Sequence, residues 1–289
     1  MSILVAENVS YVYGEGTPFR KEAVAGVSFE IQKGEIVGII GHTGSGKSTL
    51  VQMLSGLLKP ESGRILVDGE DIFADPKKTR RFRFRVGMVF QYPEYQLFDE
   101  TVEKDIGFGP KNMGLPEEEI RQRVGEAAEL VGLKKELLSK SPFDLSGGEK
   151  RRAAIAGVVA MRPEVLILDE PTAGLDPHGR QKILDMIQDY NTRTGAAIIF
   201  VSHNMEDVAG LSDRVLVMNG AKNEMFAPVR EVFSHAGELL AMGLDVPAVT
   251  RIFLELKGRG IPVRDGIYTL EGAAGEVCRL LSERGKGGC

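Results

Sequence analysis

The chain has no tryptophan and only two cysteines among 289 residues, Cys278 and Cys289, both within its last dozen positions. Two cysteines so placed cannot staple a fold, so no disulfide framework is expected and a reducing compartment fits. Neither has a second pair of ligands near it in sequence, which argues against zinc. Positive charge is also short: the net charge is −5, so overall charge gives no support to a nucleic-acid partner. Apolar runs are short as well. The longest, such as Ala196 to Val201, have the length of a strand, far below the roughly 18–20 residues of a membrane span. Any membrane role is therefore expected to be peripheral. The start, Met1-Ser2-Ile3-Leu4-Val5-Ala6-Glu7-Asn8, has no basic segment and meets an acid early, unlike a signal peptide.

What the chain does have is centred on Gly41-His42-Thr43-Gly44-Ser45-Gly46-Lys47-Ser48-Thr49, between the apolar run Glu35–Ile40 and a periodic segment from Leu50 to Leu58. The order is strand, glycine loop, helix. Glycines let backbone N–H groups close around a phosphate chain while the new helix points its positive end at the same charge. Lys47 is expected to reach the β- and γ-phosphates and Ser48 to ligate Mg²⁺.

Upstream, residues 1–40 read as β-rich: Leu4–Ala6, Val9–Tyr13, a loop at Gly14–Pro18, then Ala25 to Ile31. Tyr13, at a strand end, could stack on an adenine ring or belong to a cross-strand aromatic pair. Downstream, Lys77, Lys78, Arg80, Arg81, Arg83 and Arg85 form a basic run, either a nucleic-acid or lipid-headgroup patch or, as is more usual for such runs, the solvated face of a helix. Val86–Gln91 reads as a strand that ends on the polar Gln91, at the carboxyl end where parallel sheets bind ligands. Tyr92 to Glu100 is aromatic, acidic and poorly periodic, either a surface for a partner or an ordinary loop.

Pro116 and three glutamates open a helix ending near Gly132. Leu145-Ser146-Gly147-Gly148-Glu149 opens another, from Lys150 to Met161, with Ser146 and Glu149 as a capping box. Two glycines at the first helical positions are poor helix formers, and their bare N–H groups make a second anion site. Val165–Leu168 is continuously apolar, as in a strand buried on both faces, and ends on Asp169 and Glu170. Beside a phosphate loop these two acids suit a Mg²⁺ holder, Asp169, and a base that orients water, Glu170. Ala196–Ser202 repeats the design with His203 at its tip, and Arg214–Gly220 is the last strand. Beyond Pro228 come short helical segments, a β-like piece at Gly266–Leu270 and a tail, Gly285–Cys289, expected to be disordered.

The ordered set Gly41–Thr49, Gln91, Leu145–Glu149, Val165–Glu170, Gly174-Leu175-Asp176 and His203 resembles the ATP-binding-cassette (ABC) ATPase family. Within it, Val89–Phe98, Phe108–Asn112, Pro142–Gly148 and Ala153–Met161 resemble the ATPases of energy-coupling factor (ECF) vitamin and metal importers. The loop Gly16-Thr17-Pro18 and Gly243–Pro247 look like the A-prime member of the ATPase pair. The resemblance implies an α/β P-loop NTPase of the ABC ATPase fold: a RecA-like core with an antiparallel β subdomain and a helical subdomain at about 92–162, over residues 1–227. A small C-terminal interaction or dimerisation domain, 228–289, would follow.

The resemblance also implies roles. Tyr13 would stack on adenine, Gly41–Thr49 would hold the phosphates of ATP, and Ser48, Gln91 and Asp169 would serve Mg²⁺. Glu170 would be the catalytic base, His203 the γ-phosphate sensor, and Gln91 the link to the membrane. Ser146, Gly147 and Gly148 would serve the nucleotide held by a second ABC ATPase subunit, with Asp176 at the seam. That second subunit would be a paralogue or a second copy. The other partners would be a transmembrane T-type coupling subunit and a substrate-binding membrane S component, with no nucleic acid, at the cytoplasmic face of the cell membrane. A helix of the coupling subunit would sit against Tyr92–Glu100, its arginines facing Glu94, Asp99 or Glu100. Glu149 stands where the family has glutamine, and an added carboxylate near a polyphosphate is unfavourable unless it is turned back into the capping box. Two other functions compete: a soluble ABC ATPase acting on nucleic acid or ribosomes, disfavoured because Ser48 to Leu145 carries no sustained heptads and only one cassette is present; and a regulatory module with a dead site, disfavoured by intact Lys47, Asp169, Glu170 and His203.

Overall fold

The computed structural model describes residues 2–285. The expected disorder of the tail therefore falls, from Lys286 on, outside the described residues, as does Cys289; Gly285 ends a helix.

The strands are β1 (Ser2–Tyr13), β2 (Lys21–Gln32), β3 (Ile36–Gly41), β4 (Ser62–Val67), β5 (Glu70–Asp71), β6 (Val86–Val89), β7 (Val165–Asp169), β8 (Ala197–Val201), β9 (Arg214–Asn219) and β10 (Lys222–Pro228). The α-helices are α1 (Lys47–Leu54), α2 (Pro76–Arg85), α3 (Val102–Asn112), α4 (Glu117–Leu130), α5 (Gly147–Val159), α6 (Pro177–Thr194), α7 (Met205–Leu211), α8 (Val229–Ser234), α9 (Ala236–Ala241), α10 (Ala248–Gly258) and α11 (Leu270–Gly285).

Two sheets divide the strands. An antiparallel sheet runs β2-β1-β4-β5, and a larger one runs β10-β9-β3-β8-β7-β6. In the larger sheet β9, β3, β8, β7 and β6 are mutually parallel and β10 pairs antiparallel with β9. Its central strands are apolar at successive positions because both faces are covered. Along β7 the alternation is visible: Leu166 and Leu168 join one core, Val165 and Ile167 the other. The first core is shared with α4, α5 and α6. The second is shared with α1 and the antiparallel sheet. The helical segment α3–α5 is thus clamped to one face and the antiparallel sheet to the other.

The basic run is the exposed side of α2. Lys77, Arg80, Arg81 and Arg83 are exposed, whereas Thr79 and Phe82 are buried on the opposite side.

Several boundaries differ from expectation. Leu4–Ala6 and Val9–Tyr13 form one strand, because Asn8 takes a left-handed φ of 48° and absorbs a bulge without ending β1. β2 starts at Lys21 rather than Ala25, and β10 adds a strand that the sequence did not reveal. Residues 266–269 form no strand: the Ile267 carbonyl accepts the Thr250 hydroxyl at 2.8 Å, Tyr268 stacks on Phe233, and α11 opens at Leu270. The first core also continues past Pro228 through Val229, Val232, Phe233, Leu239, Leu244 and Val246. α8 and α9 are therefore packed onto the same core as the sheet.

Candidate functional site

Four neighbouring parallel strands, β3, β8, β7 and β6, end side by side, and the chemistry-bearing residues lie just beyond their carboxyl ends. They border a cleft of about 330 Å³ lined by Tyr13, Thr43, Gly44, Gly46, Lys47, Ser48, Thr49, Gln91, Asp169, Glu170 and His203, together with Lys21 and Ala23. Gly41, His42 and Ser45 belong to the same strand-to-helix turn but do not line the cleft. Ser146, Gly147, Gly148 and Asp176 do not line this cleft. Ser146 and Gly147 are exposed at the start of α5 and Asp176 at the start of α6, where its carboxylate accepts the Gly179 N–H at 2.6 Å.

The loop geometry depends on absent side chains. At Gly46, the residue before α1, φ is 104° and a Cβ would stand 2.1 Å from the Ala23 carbonyl oxygen on β2. At Gly41 a Cβ would meet the Met218 carbonyl at 2.4 Å and Ser45 Oγ at 2.5 Å. The loop is therefore pressed onto two strands, and its N–H groups line a concave turn at the positive end of α1.

Lys47 is buried, and its ammonium donates to the carbonyls of Gly41 at 2.6 Å and His42 at 3.1 Å. Burial lowers its pKa, and the charges of Glu170 and Asp169 oppose that shift. Burial pushes the Asp169 carboxyl above its usual range, opposed by the hydrogen bond to the Ser48 side chain and by Lys47. Ser48 and Asp169 both line the cleft.

Glu170 is the most perturbed group of the cleft. Its backbone takes a left-handed φ of 52°, and its N–H donates to the Val201 carbonyl at 3.0 Å, continuing the ladder to β8. Its side chain is 12% exposed, and Oε1 is buried without a hydrogen-bond partner. His203 Nε2 lies 3.3 Å from that oxygen without hydrogen-bonding geometry. Burial, helped by the Asp169 charge, pushes the carboxyl up to about 7, against the His203 backbone hydrogen bond and Lys47. A carboxyl poised near neutrality with an unpartnered oxygen aimed into a polar cleft is suited to accept a proton from water. Burial and the Lys47 charge lower the His203 pKa, favouring a neutral ring.

The Glu170 shift has a thermodynamic consequence. A carboxyl whose pKa rises from 4.5 to about 7 on folding favours the native state when protonated, and that advantage is lost as pH rises through about 7. Glu170→Gln is expected to stabilise the nucleotide-free chain at about pH 8 by about 2 kcal/mol after allowance for solvent screening. The gain should shrink through pH 7 and vanish near 4.5. Urea melts of both chains across this range check it; a pH-independent difference would contradict the assignment.

Tyr13 is 41% exposed at the cleft edge, with its hydroxyl 3.3 Å from Thr49 Oγ1. Its aromatic neighbour is Tyr11 on the same strand, edge-on at 4.9 Å, so the pair is not cross-strand. Glu149 does turn back: its Oε2 accepts the Ser146 N–H at 2.9 Å and hydroxyl at 2.6 Å, and these bonds hold its carboxyl below the usual range. Lys21 was not foreseen, because an isolated lysine after a loop carries no signal until β2 is known to pass over the phosphate loop.

Tyr92–Glu100 is a surface, with Tyr92, Tyr95 and Phe98 exposed and Phe98 edge-on to the exposed Phe108 at 5.0 Å. One expectation for it is corrected. The Glu94 carboxylate is not free to face a partner's arginine, because it is paired with the buried Arg151 and its side chain is 18% exposed. Glu100 is shared with Lys104 at 2.5 Å, and Asp99 accepts the Glu100 N–H.

Comparison with known proteins bears on this geometry. The ABC transporter family profile matches residues 24–173. The chain is 54% identical over 275 residues to the energy-coupling factor transporter ATP-binding protein EcfA2 of Caldanaerobacter subterraneus subsp. tengcongensis, covering 95% of this chain and 96% of that protein. It is 53% identical over 285 residues to the EcfA2 protein of Clostridium tetani, covering 98% and 99%. Among solved structures, cbiO1 of Clostridium perfringens, described as part of the ABC transporter complex cbiONQ, superposes with a TM-score of 0.74 at 40% identity over 88% of this chain and 99% of that one. The ATP-binding cassette MJ0796, solved as a post-hydrolysis dimer with ADP and Pi, superposes with a TM-score of 0.71 at 26% identity, covering 78% and 98%.

Proposed function

The chain belongs to the ABC transporter ATPases and, within them, to the energy-coupling factor transporter ATP-binding proteins, and from this we propose that it powers uptake of a vitamin or metal ion through membrane partners. It is an ATP-binding, ATP-hydrolysing subunit with the ABC ATPase fold. The observation that carries the reading is the convergence of Lys47, Asp169, Glu170, His203 and Gln91 on one cleft at the sheet's carboxyl edge.

Each residue has a part in this reading. Tyr13, half-exposed at the cleft edge, stacks on the adenine, and the loop N–H groups from Thr43 to Thr49 receive the phosphates. A phosphate oxygen competes with the neutral Gly41 and His42 carbonyls for the Lys47 ammonium, and a charged acceptor wins such a contest. Glu170 takes a proton from the attacking water, and neutral His203 donates toward the γ-phosphate.

Among the described residues no three His, Cys, Asp or Glu side chains are grouped to cage a metal. That suits Mg²⁺, which keeps waters and phosphates as most of its ligands. When bound with ATP, Mg²⁺ would neutralise phosphate charge, with Ser48, Gln91 and Asp169 as its holders on the protein.

Ser146, Gly147 and Gly148 do not line their own chain's cleft, so they serve a nucleotide only if a second ABC ATPase subunit, a paralogue or another copy, presents its cleft to them. Asp176 would lie at that seam. ATP then bridges the pair only when it is closed, so binding favours closure and hydrolysis releases it. Residues 1–227 would form the ATP-binding domain, with a helical subdomain at about 92–162, and 228–289 an interaction or dimerisation extension.

No helix among the described residues is long and apolar enough to cross a membrane. A peripheral place at the cytoplasmic face would be held by the exposed aromatics Tyr95, Phe98 and Phe108 against a T-type coupling subunit, which in turn works with an S component. Co-expression with candidate membrane subunits is expected to bring this chain down in a stoichiometric detergent-solubilised complex that hydrolyses ATP. Recovery of nucleic acid or ribosomes instead, with no integral membrane protein, would overturn the transport reading.

A further inference from the structure

We propose that Arg151 is a positioning residue that ties the exposed Tyr92–Phe98 segment to the loop carrying Glu170, so that events on that surface reach the hydrolytic base. Nothing in the chemistry above uses Arg151 or Glu94, yet the Arg151 guanidinium donates four hydrogen bonds. It projects from α5, and its side chain is 4% exposed.

The two ends of its guanidinium hold two different segments. Nε and Nη2 donate to the Glu94 carboxylate at 3.1 and 2.7 Å, a fork onto a side chain in the turn that follows Gln91. Nη1 donates to the Ala173 carbonyl at 2.6 Å and the Pro171 carbonyl at 3.4 Å. The Ala173 N–H in turn donates to the Glu170 carbonyl at 3.1 Å, so the clamped turn is the one in which Glu170 holds its left-handed backbone. The Tyr92 ring lies 5.9 Å from the same guanidinium, and Tyr92 itself has a φ of 54°.

Two backbone turns with left-handed residues thus hang on one rigid plane. A guanidinium presents its donors in a fixed fork, so a shift of Glu94 cannot be absorbed by swinging one bond and must move the plane against the 171–173 carbonyls. Burial alone would raise the Glu94 carboxyl, but Arg151 and a backbone hydrogen bond hold it below its usual range, so the pair stays charged. Lysine, a point charge on a flexible stem, could satisfy one end and not both.

The proposal rests on the reading that the Tyr92–Phe98 surface seats a membrane subunit, and the test separates the two. In the complete transporter reconstituted in liposomes, substrate moved per ATP hydrolysed is compared for the natural chain, Glu94→Gln and Arg151→Lys. Both variants are expected to lower that ratio by about 2- to 30-fold, the span of coupling changes from residues between two sites. The KM for ATP should stay within about twofold, and the membrane subunit should co-purify as before.

If Glu94→Gln does not fold because Arg151 is left uncompensated, Glu94→Leu/Arg151→Met removes both charges and avoids that penalty. It must show the same lowered ratio. Transport and hydrolysis falling in step, or an unchanged ratio in an intact complex, would overturn the proposal alone. A natural chain that brings down no membrane subunit would overturn the docking reading and this proposal with it.

Discussion

Replacing Glu170 by glutamine is expected to cut ATP turnover by roughly 10²–10⁴-fold, the usual contribution of a positioned general base, while ATP binding stays within about twofold. Glutamine keeps the shape and one acceptor but cannot take a proton. Two features make Glu170 rather than Asp169 the base. Its Oε1 is buried without a hydrogen-bond partner, and no Asp169 oxygen is orphaned in that way. Its carboxyl is also pushed up to about 7, so it can receive a proton under neutral conditions. Because the phosphates are gripped by the loop and Lys47, the loss should appear in kcat and not in affinity. Phosphate-release rates and equilibrium ATP binding on the same preparation check this. Near-natural hydrolysis by the variant would remove Glu170 from the role.

Gly46→Ala is expected to be nearly as damaging for a mechanical reason. The new methyl would stand 2.1 Å from the Ala23 carbonyl oxygen and 3.3 Å from its carbon, both backbone atoms of β2, at a φ of 104°. The left-handed strain alone costs on the order of 1–3 kcal/mol, and β2 cannot yield without disturbing its pairing with β1. The N-terminus of α1 must move instead, carrying Lys47, Ser48 and Thr49 with it. A misplacement of about 1 Å at a reacting centre costs roughly 10²-fold in rate, so hydrolysis should fall at least that far. Gly125→Ala is the control: nothing lies within 4 Å of its added Cβ, in the middle of α4, and the change should be neutral or stabilising by about 0.5–1 kcal/mol. Natural hydrolysis by Gly46→Ala, or equal damage from both, would contradict the close approach of β2.

The phosphate loop, the strand acids and His203 were legible in the sequence because each is a local pattern: a strand, then a special residue at its tip. The fold class and the family followed from their order along the chain. The capping box of Ser146 and Glu149 was legible for the same reason, its two members lying one helical turn apart. What was not legible depends on pairing across the chain. Lys21 enters the cleft only because β2 starts early and crosses the loop. β10 is a strand because β9 offers an edge, and 266–269 is not one because Thr250 and Phe233 engage it first. Glu94 looked like an exposed acid in an aromatic loop, and only folding reveals Arg151, 57 positions away, beneath it.

The most direct test of the account is the structure of the Glu170→Gln chain with Mg²⁺ and ATP in complex with its partner ATPase. The expected result has Lys47 turned from the Gly41 and His42 carbonyls onto the phosphates, the metal beside Ser48 and Asp169, and Ser146–Gly148 against the nucleotide in the partner's cleft. A nucleotide bound elsewhere, or Ser146–Gly148 remote from any phosphate in the closed pair, would contradict it.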